Sequence, residues 1–197
     1  MTRLVLASKS AARAEVMRGA GLTFATAAAP MDETVLKRGL LGRGASPREI
    51  AHVLAEEKAK AASLEHEGLV IGADQTLDLD GALMDKAESL DEARQHLIAL
   101  RGREHRLHSG LAVAEAGQIM FTTVETAVLS VRPFSEAWLD DYLERNGEGL
   151  LGSVGAYKLE GEGAQLFERI EGDYFVVLGM PLLALLRFLR DQGVLPA

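Results

Sequence analysis

Several separated stretches of the chain carry side chains suited to phosphate or metal chemistry. Leu69-Val-Ile-Gly-Ala-Asp74 reads as a buried strand ending on an acid, since three large apolar residues followed by two small ones suit a strand covered on both faces. Ligands of open α/β sheets collect at the carboxyl ends of strands, where a carboxylate can hold a cation or take a proton from water. In the competing assignment Asp74 merely opens the turn into Gln75–Gly81, whose Asp80-Gly81 pair signals a hairpin.

Leu4–Ala7 is a candidate first strand, and Ser8-Lys9-Ser10 turns from it into a helix that bears Arg13. The start of a helix exposes unpaired N–H groups at the positive end of its dipole, so hydroxyls and cations added there suit a phosphate. The plainer alternative leaves Ser10 as a cap and both cations in water. Glu33 follows Pro30 and Asp32 and is either a metal ligand or a solvated loop acid. Lys58 lies four and eight residues after Leu54 and Ile50, which turns its ammonium toward the buried side of a helix. It either serves a site there or snorkels at the stripe's edge. Lys86 sits in a loop that leads into a later helix.

The elements that must position these groups have their own signals. Leu22–Thr26 is a second short strand, and the glycines and basic residues from Thr34 to Ala45 predict a mobile loop over the site. Ser46-Pro47-Arg48-Glu49 is a capping box with proline at the first helical position, so a helix runs from there to about Leu64. A second box, Ser89–Glu92, opens a helix that Gly102 stops. Arg106–Ala114 and Gln118–Val131 predict a long hairpin for a central sheet, rich in Val, Thr and Leu. Ser135 caps a helix to about Arg145 whose Trp138, Leu139, Tyr142 and Leu143 form a core stripe, not a base-stacking platform. After the glycine-rich run Gly147–Gly163, Leu166–Ile170 and Tyr174–Leu178 predict a hairpin across Glu171-Gly172-Asp173. Pro181 and Gly193 bracket the last helix.

With 197 residues, 48% of them hydrophobic, the chain can bury a full core as one domain or as two lobes on one sheet. Cysteine is absent, which removes thiolate nucleophiles, disulfides and thiolate metal sites and suits a reducing cytoplasm. The five histidines show no ligand spacing, so a hard cation such as Mg²⁺ on acid oxygens is the fitting metal. A formal charge of −8 excludes a general nucleic-acid binder. Leu4–Ala7 is too short for a signal segment and Leu182–Leu189 too short for a membrane span, so a soluble protein is expected.

In order along the chain, Leu6-Ala-Ser-Lys-Ser10 with Arg13, Asp32-Glu33, Glu57-Lys58-Ala59, Ile71-Gly-Ala-Asp74, Lys86, Ser109-Gly110 and Ala156-Tyr-Lys-Leu-Glu-Gly161 resemble the Maf family of nucleoside triphosphate pyrophosphatases. That family belongs with the inosine triphosphate pyrophosphatases. The resemblance covers the whole of 1–197 and implies a single α/β domain with an elongated mixed β-sheet flanked by helices, two lobes and a nucleotide cleft between them. It implies a cytoplasmic homodimer that cleaves a nucleoside triphosphate to the monophosphate and pyrophosphate, bound to neither membrane nor polymeric nucleic acid. By the same resemblance Asp74, Glu33 and Lys58 are catalytic, Glu33 and Asp74 hold Mg²⁺, and Ser8, Ser10, Arg13 and Lys86 bind phosphate.

The family usually reads Ser-Pro-Arg-Arg where this chain has Ser10-Ala-Ala-Arg13, and Lys-Pro where it has Lys86-Ala87. Substrate preference falls on Ala12, Gln75 and Glu160. The pyrimidine-preferring subgroup carries Arg, Thr and Gln at these places, whereas Gln75 and Glu160 resemble the subgroup acting on 7-methyl-GTP, which often has an aromatic in place of Ala12. The alternatives are a pyrimidine (dTTP or UTP) pyrophosphatase of the same family and a non-catalytic nucleotide-binding regulator.

Overall fold

The computed structural model describes residues 3–196. Leu4–Ala7 (β1) is buried throughout and leads to Ser10, whose hydroxyl accepts from the Arg13 N–H at 3.4 Å and so caps Ala11–Gly19 (α1). Ala25–Ala27 (β2) pairs parallel with β1, starting later than the sequence suggests because Leu22 is drawn into the core instead. Glu33–Leu41 (α2) is a helix, which corrects the expected mobile loop over Thr34–Ala45. Asp32 caps it by accepting from Val35 N–H at 3.0 Å, and Leu36 and Leu40 pack at helical spacing against Ile50 and Leu54. Cap and stripe together outweigh the cost of Gly39. Pro47–Ser63 (α3) starts with the expected capping box.

Leu69–Leu79 (β3) is one continuous strand. Asp74 therefore lies in mid-strand and not at a strand end, and Gln75 continues the same strand. The extension is stabilised by unbroken pairing from Val70 to Asp78 with Glu104–Glu115 (β5), and by burial of Leu77 and Leu79 in a second core. Asp80 and Gly81, with φ of 54° and 85°, make the tight turn to Ala82–Met84 (β4) that an Asp-Gly hairpin requires. Leu90–Leu100 (α4), the β5 to Gln118–Val131 (β6) hairpin and Glu136–Asn146 (α5) follow their caps and turn signals.

Phe167–Glu171 (β7) pairs with β6, but Tyr174–Val177 (α6) is a helical turn and not the second arm of a hairpin. Asp173 caps it, and the amide of Gln75 donates to its Val176 and Val177 carbonyls at 3.0 and 3.1 Å. That distant donor satisfies groups that the β propensity of Tyr-Phe-Val-Val would otherwise have sent into a ladder. Leu182–Asp191 (α7) closes the chain.

The sheet order is β2-β1-β3-β5-β6-β7, with β4 also on β3. Since β5 holds one edge of β3 throughout, β1 and β4 share the other. There β1 covers Leu69–Gly72 and β4 covers Leu77–Leu79, so among the described residues Ala73–Thr76 have no strand partner on that edge. Two apolar clusters line one face of the sheet on either side of this gap. One gathers Leu6, Met17, Ile71, Leu111 and Leu185, the other Leu77, Leu97, Leu107, Leu129 and Leu139. On the opposite face α3 presses close: a Cβ on Gly72 would lie 2.3 Å from the Ala55 carbonyl oxygen, and one on Gly110 2.2 Å from that of Ala51. Among the described residues no helix is long and apolar enough to cross a membrane.

His105 on β5 is 1% exposed, and its Nε2 lies 2.6 Å from the Tyr157 hydroxyl. Burial pushes its pKa from 6.5 down to about 4. The unfolded chain takes up this proton near pH 6.5 and the folded chain only near 4, so this contribution is complete above the upper value and falls as the pH drops between them. Stability should decline by about 3 kcal/mol across that window on this account alone. Urea unfolding at several pH values checks it, and an equally steep decline in His105→Gln would remove His105 as the cause.

Candidate functional site

The gap at Ala73–Thr76 defines the place, and strand alternation sorts its side chains. Asp74 shares the α3-facing side with Gly72 and Thr76, whose hydroxyl donates to the Pro47 carbonyl at 2.8 Å, while Gln75 points to the side of the two cores. Asp74 stands opposite Gly110 on β5, and the bare glycine surface lets the Ala51, Ala55 and Ala59 stripe of α3 approach the sheet. Lys58, adjacent to Ala59, is carried by that approach to the carboxylate.

Lys58 Nζ donates to Asp74 Oδ1 at 2.7 Å and lies 2.7 Å from Glu33 Oε2. Only 5% of Lys58 is exposed, so the ammonium requires this pairing; a buried charge is tolerated when it is matched and hydrogen-bonded. Glu33 is the first residue of α2 and reaches the cluster from above the gap.

Around this centre the cations outnumber the carboxylates, a local inversion in a chain of net charge −8. Arg13 Nε donates to the Gly179 carbonyl at 2.9 Å, and its Nη1 to the Ala73 carbonyl at 2.9 Å and the Ser8 hydroxyl at 3.2 Å. It thereby satisfies the Ala73 carbonyl just where β1 stops. Burial pushes the Arg13 pKa down, against the opposing fields of Asp74 and Glu33. Lys86, exposed overall, carries an ammonium depressed first by partial burial and then by Arg13, with Asp74 raising it. Ser10 caps α1, and its N–H donates to the Ser8 hydroxyl at 3.2 Å.

Lys37 also belongs here, although its segment reads from its glycines and basic residues as a loop. It lies one turn after Glu33 on α2, and its ammonium pairs with Asp85 in the loop that carries Lys86. Burial lowers its pKa, opposed by Asp74 and Glu33 and reinforced by Lys58 and Lys86. The signal was available: Asp32 as a cap followed by Glu33 and Lys37 at helical spacing.

Gln75 stands behind the cluster, not within it. Its amide holds the Ser109 hydroxyl at 3.1 Å as well as the α6 carbonyls, and Ser109 itself donates to Val176 at 2.7 Å. Ala12 is half-buried in the first turn of α1. Glu160 is exposed in a turn closed by the Gly161 N–H on the Lys158 carbonyl at 3.2 Å, next to the buried Tyr157. Among the described residues Glu160 makes no hydrogen bond or ion pair to Asp74, Glu33 or Lys58.

No cluster of three or more His, Cys, Asp or Glu among the described residues could hold a metal alone. Mg²⁺ does not need one, because it commonly takes one or two carboxylates and completes its shell with phosphate oxygens and water. Asp74 Oδ2 and Glu33 Oε1 are the oxygens not turned to Lys58, so the pair fits such a cation once a phosphate is present.

The chain is similar to known proteins over nearly its whole length. The family model described as "Maf-like protein" matches residues 3–192. A "Nucleoside triphosphate pyrophosphatase" of Caulobacter vibrioides is 56% identical over 195 residues, covering 99% of this chain and 98% of its own. One of the same name from Maricaulis maris is 50% identical over 99% of both chains. A "7-methyl-GTP pyrophosphatase" of Rhizobium meliloti is 46% identical over 98% of both chains.

Proposed function

The chain belongs to the Maf family and is a nucleoside triphosphate pyrophosphatase, and we propose that 7-methyl-GTP is its preferred substrate and that the Lys58-centred cluster is its catalytic site. The observation that supports the site is the convergence of Asp74 and Glu33 on one buried lysine at the unpaired edge of β3, ringed by Arg13, Lys37 and Lys86.

Asp74 is the base. Its carboxylate takes a proton as water attacks the α-phosphorus, while the bond from that phosphorus to the bridging oxygen breaks and pyrophosphate departs. Lys58 fixes the carboxylate's orientation and meets charge that builds on the phosphate oxygens. Lys86, with the Ser8 and Ser10 hydroxyls, holds the departing end, and Arg13 holds the surrounding backbone and adds its charge. Positioning and fixed charge of this kind supply most of the catalysis in phosphoryl-type transfer. Glu33 and Asp74 would hold Mg²⁺, which when bound neutralises phosphate charge and makes the phosphorus more electrophilic.

The substrate reading rests on Glu160 and on the relative named for 7-methyl-GTP. Guanine offers two adjacent donors, N1–H and the N2 amino group, that one carboxylate can accept together, whereas uracil and thymine present carbonyl acceptors. Methylation at N7 gives the ring positive charge and strengthens that pairing. Ala12 offers no aromatic face, a loss of roughly 1–3 kcal/mol by analogy with base stacking, so other triphosphates are accepted with lower preference. Glu160→Gln should reduce the preference for 7-methyl-GTP over UTP and dTTP about tenfold, the loss of one charge-assisted bond. A turnover screen across canonical and modified triphosphates decides this. Best turnover of dTTP or UTP, or a ranking unmoved by the substitution, overturns the substrate while leaving the pyrophosphatase in place.

A further inference from the structure

The ion pair between Lys37 and Asp85 ties α2 to the loop that leaves β4, at the edge of the gap in β3. Lys37 rides on α2, one turn after Glu33, a spacing that puts both side chains on one helix face. Glu33 touches Lys58, so this is the face turned to the cleft. Asp85 follows β4, the strand that resumes pairing with β3 immediately beyond the unpaired Ala73–Thr76, and it directly precedes Lys86. The pair thus lies between Glu33 and Lys86, both of which the site uses.

The two partners are unequal. The Lys37 side chain is 25% exposed and the Asp85 side chain 59%, so the lysine is the inward member. An aspartate so open to water binds its partner weakly, and a phosphate can replace it. The other cations are more firmly committed. Arg13 spends its Nε and Nη1 on Gly179, Ala73 and Ser8, and Lys58 is shared between two carboxylates. A multiply charged triphosphate therefore finds Lys37 among the cations best able to turn to it.

We infer that Lys37 is a phosphate-binding residue of this site, held by Asp85 until a triphosphate takes the carboxylate's place. The inference rests on the reading of the cluster as a triphosphate site and adds a residue from α2 to it. It also gives Asp85 a role opposite to that of a structural partner: it competes with substrate for the lysine.

The signs of two substitutions separate these roles. Binding of a non-hydrolysable α,β-methylene triphosphate analogue by calorimetry, and KM for pyrophosphate release, are measured for Lys37→Ala, Lys37→Gln, Lys37→Arg and Asp85→Asn, with melting temperatures to confirm folding. The alanine and glutamine variants should bind the analogue roughly tenfold more weakly and raise KM to match, as loss of one charge-assisted contact requires, and arginine should restore most of it. Asp85→Asn should bind the analogue as well as the parent or better. Unchanged binding in both neutral Lys37 variants, or equal weakening by Lys37→Ala and Asp85→Asn, would overturn the inference and leave the pair as a strap. A parent protein that binds the analogue yet releases no pyrophosphate overturns the reaction instead, and the binding comparison still decides Lys37.

Discussion

Asp74→Asn should abolish pyrophosphate release by about two to four orders of magnitude, the usual worth of a positioned general base, while the protein stays folded. The amide keeps the size of the side chain and one oxygen that can still accept from Lys58 Nζ, now 2.7 Å away. What it loses is basicity toward the attacking water and charge toward a metal. Lys58 retains Glu33 at 2.7 Å, so the ammonium is not left unpaired, and the loss of stability should stay near 1–2 kcal/mol. Nucleotide binding should persist, since the phosphate-facing cations are untouched. Steady-state release of pyrophosphate checks the first part and thermal unfolding the second. Turnover within a few-fold of the parent would remove Asp74 from the chemistry.

The second large effect should come from a residue without a side chain. Gly72→Ala puts a methyl group 2.3 Å from the Ala55 carbonyl oxygen and 2.5 Å from the Ala59 nitrogen, both backbone atoms of α3 that cannot rotate away. The helix must lift from the sheet, and Lys58 lifts with it. Overpacking of this kind costs about 1–3 kcal/mol, which in a chain of this length lowers Tm by roughly 2–4 °C per kcal/mol. The kinetic effect should be larger than the thermal one. A shift of about 1 Å in a catalytic group can cost a hundredfold in rate, and here it separates the ammonium from Asp74. A variant that melts lower but turns over normally would show that α3 can move without carrying Lys58 out of register.

Much of this arrangement is legible in the sequence because its signals are local. The capping box at Ser46 and Glu49 fixes where α3 starts, and with it the phase that puts Lys58 on the buried side. Asp80-Gly81 fixes the turn to β4, and Ser89 and Ser135 open α4 and α5. The failures share a different cause. α2 was obscured by three glycines between residues 39 and 44, and its stability comes from packing of Leu36 and Leu40 on α3. Tyr174–Val177 has the composition of a strand and becomes a helical turn because Gln75, some hundred residues earlier, satisfies its carbonyls. Asp74 reads as the end of a strand because Gly72 and Ala73 interrupt the large residues, whereas Gly72 makes room for α3 and Ala73 packs into the opposite core while β3 runs on to Leu79. Gln75 and Asp74 are sequence neighbours, and only the pleat reveals that they serve opposite faces.

The unbroken course of β3 also decides how the site can open. The strand runs from one apolar cluster to the other, and its pairs with β5 extend without interruption from Val70 to Asp78. A hinge between the two halves would have to break that ladder in the middle of a buried sheet, where water cannot replace the lost bonds. The halves therefore cannot swing as rigid bodies about the gap. Access must come from the pieces laid over it, and α2 and the loop carrying Asp85 and Lys86 are the ones whose exposed surfaces let them move cheaply. The sheet acts as a fixed anvil, and the substrate comes and goes under a cover made of the nine-residue α2 and the loop that follows β4.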